Sequence, residues 1–167
     1  MHINQHWPEN LSKLGMLLYN EIEQINENNR FKAKGPYTDY TLRDLAVAII
    51  VHPSRLSRYC TINEETGLPK ERPSLHVVIK IIGVLGLKQE DAYTLIRITM
   101  HCIDDDSDYK FLSSYRAIAN DSFRKSRNKS EAEATLCRVN AFLSRAVRYG
   151  SKVRCKEIGI RSVFLRF

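Results

Sequence analysis

Apolar positions recur along most of the chain every three to four residues, the period of an α-helix with one buried face. Leu11, Leu14, Leu17, Leu18, Ile22 and Ile25 mark a first helix over residues 10–28, which the polar tract 26–30 and then Gly35-Pro36 are expected to end. A second helix opens at Thr41, where Thr41 and Asp44 stand in an S/T-x-x-acid arrangement close to a capping box, and it turns Leu45, Ala46 and Ile49 inward. Pro53 has no backbone N–H and so fits the first turn of another helix, a short one over residues 53–60. That helix shows Leu56 and Tyr59 on one side and Ser54, Arg55, Ser57 and Arg58 on the other. The polar stretch 61–72, with Gly67 and Pro69, reads as a surface loop.

Four further apolar stripes follow. Leu75, Val78, Ile79 and Ile82 run toward Gly86, and Ala92, Leu95, Ile96 and Thr99 line a helix over residues 88–102. Phe111, Leu112, Tyr115, Ile118, Ala119 and Phe123 mark residues 108–125, and after a polar joint at 126–130, Leu136, Val139, Phe142, Leu143, Ala146 and Val147 mark 130–148. Residues 152–167 change character: Val153 and Cys155 alternate with Arg154 and Lys156, and Val163, Phe164, Leu165 and Phe167 crowd the terminus. This stretch reads as a short β-hairpin or as an extended apolar tail. The fold class expected from the whole pattern is all-α or mostly α.

The chain has 167 residues, 43% hydrophobic and 27% charged, a globular balance with enough length to bury a core. Its net charge of +7 favours anionic partners. The surplus is uneven: residues 1–106 carry 12 basic and 14 acidic side chains, residues 107–167 carry 14 and 5. Arg124, Lys125 and Arg127 cluster at the joint after the sixth apolar stripe, and Arg145 and Arg148 share a face of the last helix. The plain reading is a solvated face; the functional one is phosphate contact, which adds affinity and salt sensitivity but no sequence information. Asp104-Asp105-Asp106 reads as a solvated turn or helix start, since no glycine and glutamate follow at calcium-loop spacing.

Several classes are set aside by the same reading. Apolar runs such as 46–51 fall far short of the ~18 residues of a membrane span, and the N-terminus lacks the pattern of a signal peptide, so no membrane partner and a cytoplasmic location are expected. The four cysteines form no CxxC pair and read as reduced, mostly buried thiols rather than metal ligands. No nucleophile–base set and no phosphate-cradling glycine loop can be assembled, so no catalytic residue, no metal and no cofactor are expected, and the chain is not read as an enzyme.

Two helices joined by a short turn, the second short and polar outward, suit a helix-turn-helix, whose second helix lies in the DNA major groove. Ala46 is small where the helices cross, Leu45 and Ile49 face Val51, Leu56 and Tyr59, and Arg72-Pro73-Ser74-Leu75 and Gly83-Val84-Leu85-Gly86-Leu87 frame a following helix. In these residues the chain resembles the Cro and lambda-type repressor (XRE) family over about residues 10–100. The resemblance implies a five-helix DNA-binding domain over residues 1–103, followed by a basic helical region over 104–167 serving dimerisation, DNA backbone contact or a protein partner. It implies DNA contact by Thr41, Arg43, His52, Ser54, Arg55, Ser57 and Arg58, with Lys70 and Arg72 near the backbone if the 61–72 loop forms a wing-like excursion. Two positions depart from the family. Its turn glycine is Ile50 here, and a β-branched residue tolerates positive φ poorly, which points to a turn of different geometry. Its phosphate-binding Gln is Leu42, leaving Arg43 or Thr41 to serve.

The implied function is sequence-specific binding of double-stranded DNA by a homodimeric transcriptional regulator, a repressor in the main, of the kind used by phages and mobile elements. The alternative is a protein-interaction module, or an accessory protein of plasmid or phage replication or transfer, built on the same scaffold.

Overall fold

The structure, a computed structural model, describes residues 8–99 and 106–150. The expectations for 152–167 lie outside the described residues, as do Cys102, Cys155 and the side chains of Arg145 and Arg148. The described residues form α1 (Lys13–Lys32), α2 (Leu42–Ile49), α3 (Pro53–Cys60), α4 (Leu75–Leu85), α5 (Gln89–Thr99), α6 (Asp106–Arg124) and α7 (Lys129–Gly150). Among them no strand forms, and the only β features are two isolated antiparallel bridges, Leu11 with Thr61 and Ile62 with Pro69. The fold is all-α, as the periodicity leads one to expect.

Contacts divide the chain into two units, Met1–Pro73 and Ser74–Phe167. The boundary thus falls before α4 rather than at 103/104. The reason lies in α4 itself. Its sequence shows one stripe, but Val78, Ile79, Ile81, Ile82, Val84 and Leu85 are all buried, leaving only a narrow side with His76 and Lys80 toward solvent. A helix with so wide an apolar surface belongs in a core, and α4 packs against α5, α6 and α7.

The first unit is built from α1–α3 around Leu14, Leu18, Ile22, Leu45, Ala46, Ile49, Leu56 and Tyr59, all essentially inaccessible to water. Helix α1 does not stop at the polar tract 26–30 but runs on to Lys32. Within the tract Asn26 is buried, while Glu27, Asn28 and Arg30 face solvent. Buried Asn26 accepts from the Tyr37 hydroxyl (2.7 Å) and the Tyr40 amide (2.7 Å) and donates to the Tyr40 carbonyl (2.8 Å). Farther along, Arg30 grips Asp39 with Nε and Nη2, at 3.1 and 2.6 Å. At its other end α1 is tied to α3. Ser12 caps α1 by accepting from the Gly15 amide, while its hydroxyl donates to the Tyr59 carbonyl (2.8 Å) and its amide to the Cys60 carbonyl (2.7 Å). The approach is so close that a Cβ on Gly15 would lie 2.2 Å from the Cys60 oxygen.

In the second unit α4 and α6 meet at a similar contact, where a Cβ on Gly83 would lie 2.4 Å from that of Ser122. The Ser122 hydroxyl turns back onto the Ile118 carbonyl of its own helix, so its polarity is satisfied inside the packing. Tyr115 donates to the Leu136 carbonyl (2.8 Å) and ties α6 to α7, and the Arg127 amide donates to the Val84 carbonyl (3.0 Å).

Gly15→Ala gains helix propensity but drives a methyl group into a backbone carbonyl that moves only with α3. Overpacking wins, and the substitution is expected to destabilise by about 2 kcal/mol. Gly35→Ala, at a position with open space around it, stays within about 0.5 kcal/mol of the parent. Thermal unfolding of the two variants checks the contrast; equal melting temperatures would refute the close approach.

Candidate nucleic-acid interface

Helix α2 begins with a reciprocal cap. Thr41 Oγ1 accepts from the Asp44 amide (3.3 Å), and the Asp44 carboxylate accepts from the Thr41 amide (2.8 Å) and hydroxyl (2.6 Å). The Thr41 hydroxyl is therefore engaged in starting α2. Arg43, in the first turn, is exposed.

The turn after α2 corrects the expectation of a different geometry. Ile50 sits at φ 58° and ψ 54°, the left-handed region that glycine would occupy. Its amide donates to the Val47 carbonyl (3.1 Å) and that of Val51 to the Ala46 carbonyl (2.9 Å), which closes a Schellman motif. The two bonds and the packing of Ala46 and Ile49 dictate the path, and the side chain accepts strain of roughly 1–2 kcal/mol. Ile50 is 71% exposed, so no packing of its side chain offsets that strain.

His52 then caps α3: its Nδ1 accepts from the Ser54 amide (3.3 Å) and lies 2.6 Å from Ser54 Oγ. Leu56, Tyr59 and Cys60 are buried, whereas Ser54, Arg55, Ser57 and Arg58 are all exposed, so one face of α3 is locked and the other presents two hydroxyls and two guanidiniums.

The 61–72 stretch is ordered by its own backbone. The Lys70 amide donates to Thr61 (2.9 Å), that of Asn63 to Leu68 (2.8 Å) and that of Gly67 to Asn63 (2.8 Å), while the Ile62 amide donates to Asn10 on the other side. Asn63 Oδ1 accepts from the Glu65 amide (2.9 Å), an Asx turn that starts the reversal. The result is a hairpin-like arm whose return leg delivers Glu71 to α3. Arg55 Nε donates to Glu71 Oε1 (2.6 Å), and Arg58 Nε lies 3.6 Å from Oε2. The Arg55 guanidinium also stands 5.9 Å from the Tyr59 ring centroid. The bond to Glu71, more than any other influence, raises the pKa of Arg55 further above its ordinary value. Burial raises that of the Tyr59 phenol. Lys70 and Arg72, which flank Glu71, are exposed.

Thus α3 and the arm bring together Arg55, Arg58, Lys70 and Arg72, and Glu71 joins them unanticipated. Its contact with Arg55 spans 16 positions and arises only through the hairpin; the Asn63–Gly67 turn residues are the signal that announces that hairpin. Arg124, Lys125 and Arg127 are exposed at the α6–α7 joint of the second unit, where Lys125 pairs with Asp121 at 3.0 Å. Arg138, farther along α7, hydrogen-bonds Gln89 of α5. The two described thiols divide: Cys60 is buried and pushed up to about 12 by desolvation, whereas Cys137 is exposed.

Among the described residues, no group of three or more His, Cys, Asp or Glu side chains is placed to hold a metal, and no helix is long and apolar enough to cross a membrane. No protein-family model, no curated protein and no solved structure matches the chain.

Ile50→Gly relieves the left-handed strain at an exposed position, against an entropic cost of about 0.4–1 kcal/mol in the unfolded chain. The variant is expected to be more stable by about 1 kcal/mol in denaturant titration. A loss of stability would mean that the Ile50 side chain makes contacts worth more than the strain it bears.

Proposed function

We propose that the chain is a sequence-specific double-stranded DNA-binding transcriptional regulator, acting as a homodimer and in the main as a repressor. The observation that carries the reading is α3: a short helix with its apolar side fully buried, joined to α2 by a left-handed turn, and offering Ser54, Arg55, Ser57 and Arg58 to solvent. In the major groove, arginine donates bidentately to guanine O6 and N7, and serine reaches bases or phosphates. His52 and Ser54 at the start of α3, Arg43 in the first turn of α2, and Lys70 and Arg72 on the arm supply further contacts, mainly to the backbone. The basic side chains of the second unit, Arg124, Lys125 and Arg127 with Arg145 and Arg148 on α7, add phosphate contacts that raise affinity without reading sequence. A homodimer places two copies of α3 on half-sites about one helical turn apart, and a bound promoter is closed to polymerase by occlusion.

A second reading is favoured by one observation. Val47 and Ile50 are 68% and 71% exposed beside the turn, which suits a surface that docks on another protein, with the helix-turn-helix serving as scaffold.

Selection of random duplexes by the purified chain at roughly 150 mM salt separates the two, because purely electrostatic binding is suppressed there. The DNA reading expects a palindromic motif with half-sites about 10 base pairs apart; enrichment of nothing by folded protein favours the docking surface. On the selected sequence, Arg55→Ala and Arg58→Ala are each expected to relax preference at one base pair by roughly tenfold. Uniform weakening across all sequences would remove α3 as the reading element.

A further inference from the structure

The arm that follows α3 carries two cations, Lys70 and Arg72, yet the residue it places against α3 is the carboxylate between them. Glu71 faces the Nε of both outward arginines, hydrogen-bonding that of Arg55 at 2.6 Å and pairing more loosely with that of Arg58 at 3.6 Å. The Arg55 guanidinium makes no other hydrogen bond among the described residues, so both of its terminal amino groups are uncommitted. Glu71 is itself less than a quarter exposed, while both arginines are 61% exposed, so the carboxylate is the settled partner and the guanidiniums project beyond it.

Resting on the reading of α3 as the DNA-facing helix, we propose that Glu71 is a positioning and specificity-determining residue, which holds Arg55 and Arg58 by their Nε edges so that a guanine is accepted and a bare phosphate is penalised. A guanine offers O6 and N7 side by side, matching the two terminal amino groups of a guanidinium whose Nε stays on Glu71. A phosphate makes no such distinction. To reach it, an arginine leaves Glu71 behind as an unpaired carboxylate, or carries that carboxylate into the field of the DNA backbone; either way binding is weakened. Specificity arises here from a repulsive element as much as from an attractive one. The Tyr59 ring beside the Arg55 guanidinium limits the same side chain from another direction.

The test compares the full chain with Glu71→Gln and Glu64→Gln, the latter removing one carboxylate from the same arm but away from both arginines. Affinities are measured for the selected duplex and for random duplex from about 50 to 200 mM salt. Glu71→Gln is expected to bind random duplex several-fold more tightly, to lower the ratio of selected to random affinity by about tenfold, and to steepen the salt dependence on random duplex by about one phosphate contact. Glu64→Gln is expected to keep the parental ratio. An unchanged ratio in Glu71→Gln, or an equal fall in Glu64→Gln, overturns the proposal. A parent chain that does not discriminate between the two duplexes overturns instead the reading of α3 on which it rests, and this is seen before either variant is measured. Melting curves confirm that the variants are folded, as expected when an exposed ion pair is lost.

Discussion

Everything in the first unit on which the proposed recognition rests depends on how α3 is held, and it is held by Ser12. That residue spends its amide on one carbonyl of the last turn of α3 and its hydroxyl on the one before. A helix of eight residues has little stability of its own, so its geometry comes from outside it. The Ser12 bonds satisfy carbonyls at the end of α3 that no further turn of helix can reach. They also set the distance between α1 and α3, and at that distance only a residue without a side chain fits at position 15. The Schellman turn at Ile50 fixes the other end of α3. Between the two anchors the outward face has no freedom to rotate.

That rigidity gives the electrostatics their meaning. Two guanidiniums on a mobile helix are a generic attraction for anions; two guanidiniums on a helix pinned at both ends, braced by one carboxylate, are a directed pair of donors. The arm that supplies the carboxylate is itself stitched to residue 10 and to its own return leg, so Glu71 is placed by backbone bonds rather than by chance encounter. Of the chain's 26 lysines and arginines, 17 lie in the second unit, seven of them from Arg124 through the end of α7. On the proposed reading, affinity without sequence information and selectivity without much charge would come from different stretches of the chain.

How much of this was legible in the sequence follows from the range of each interaction. These helix boundaries are legible because capping is local: Thr41 with Asp44 starts α2, Pro53 after His52 starts α3, and Gly86 ends α4, each acting within a few residues. The exposure of Arg55 and Arg58 followed from the helical period alone. Contacts that span the chain were not read. The polar tract 26–30 looked like a helix end because nothing local shows that Tyr37, Tyr40 and Asp39 will return to cover it. The second apolar face of α4 is legible in Ile81 and Val84, but which helices come to cover it depends on contacts far apart in the chain. Ile50 is a different case. Residue preference argued against a left-handed turn, and the cooperative demand of two backbone bonds and a close helix crossing overrode it.

The burial of Cys60 has a use as a clock. Its thiol sits in the last turn of α3, and with a pKa near 12 almost none of it is thiolate at neutral pH. Alkylating reagents attack the thiolate, so in the closed state this sulfur is both hidden and unreactive. It becomes reactive only when the end of α3 separates from Ser12 and Gly15. The exposed Cys137 in the second unit provides an internal zero of time. The lag between the two alkylations measures how often the grip on α3 opens in the native protein, with no label added and no denaturant present.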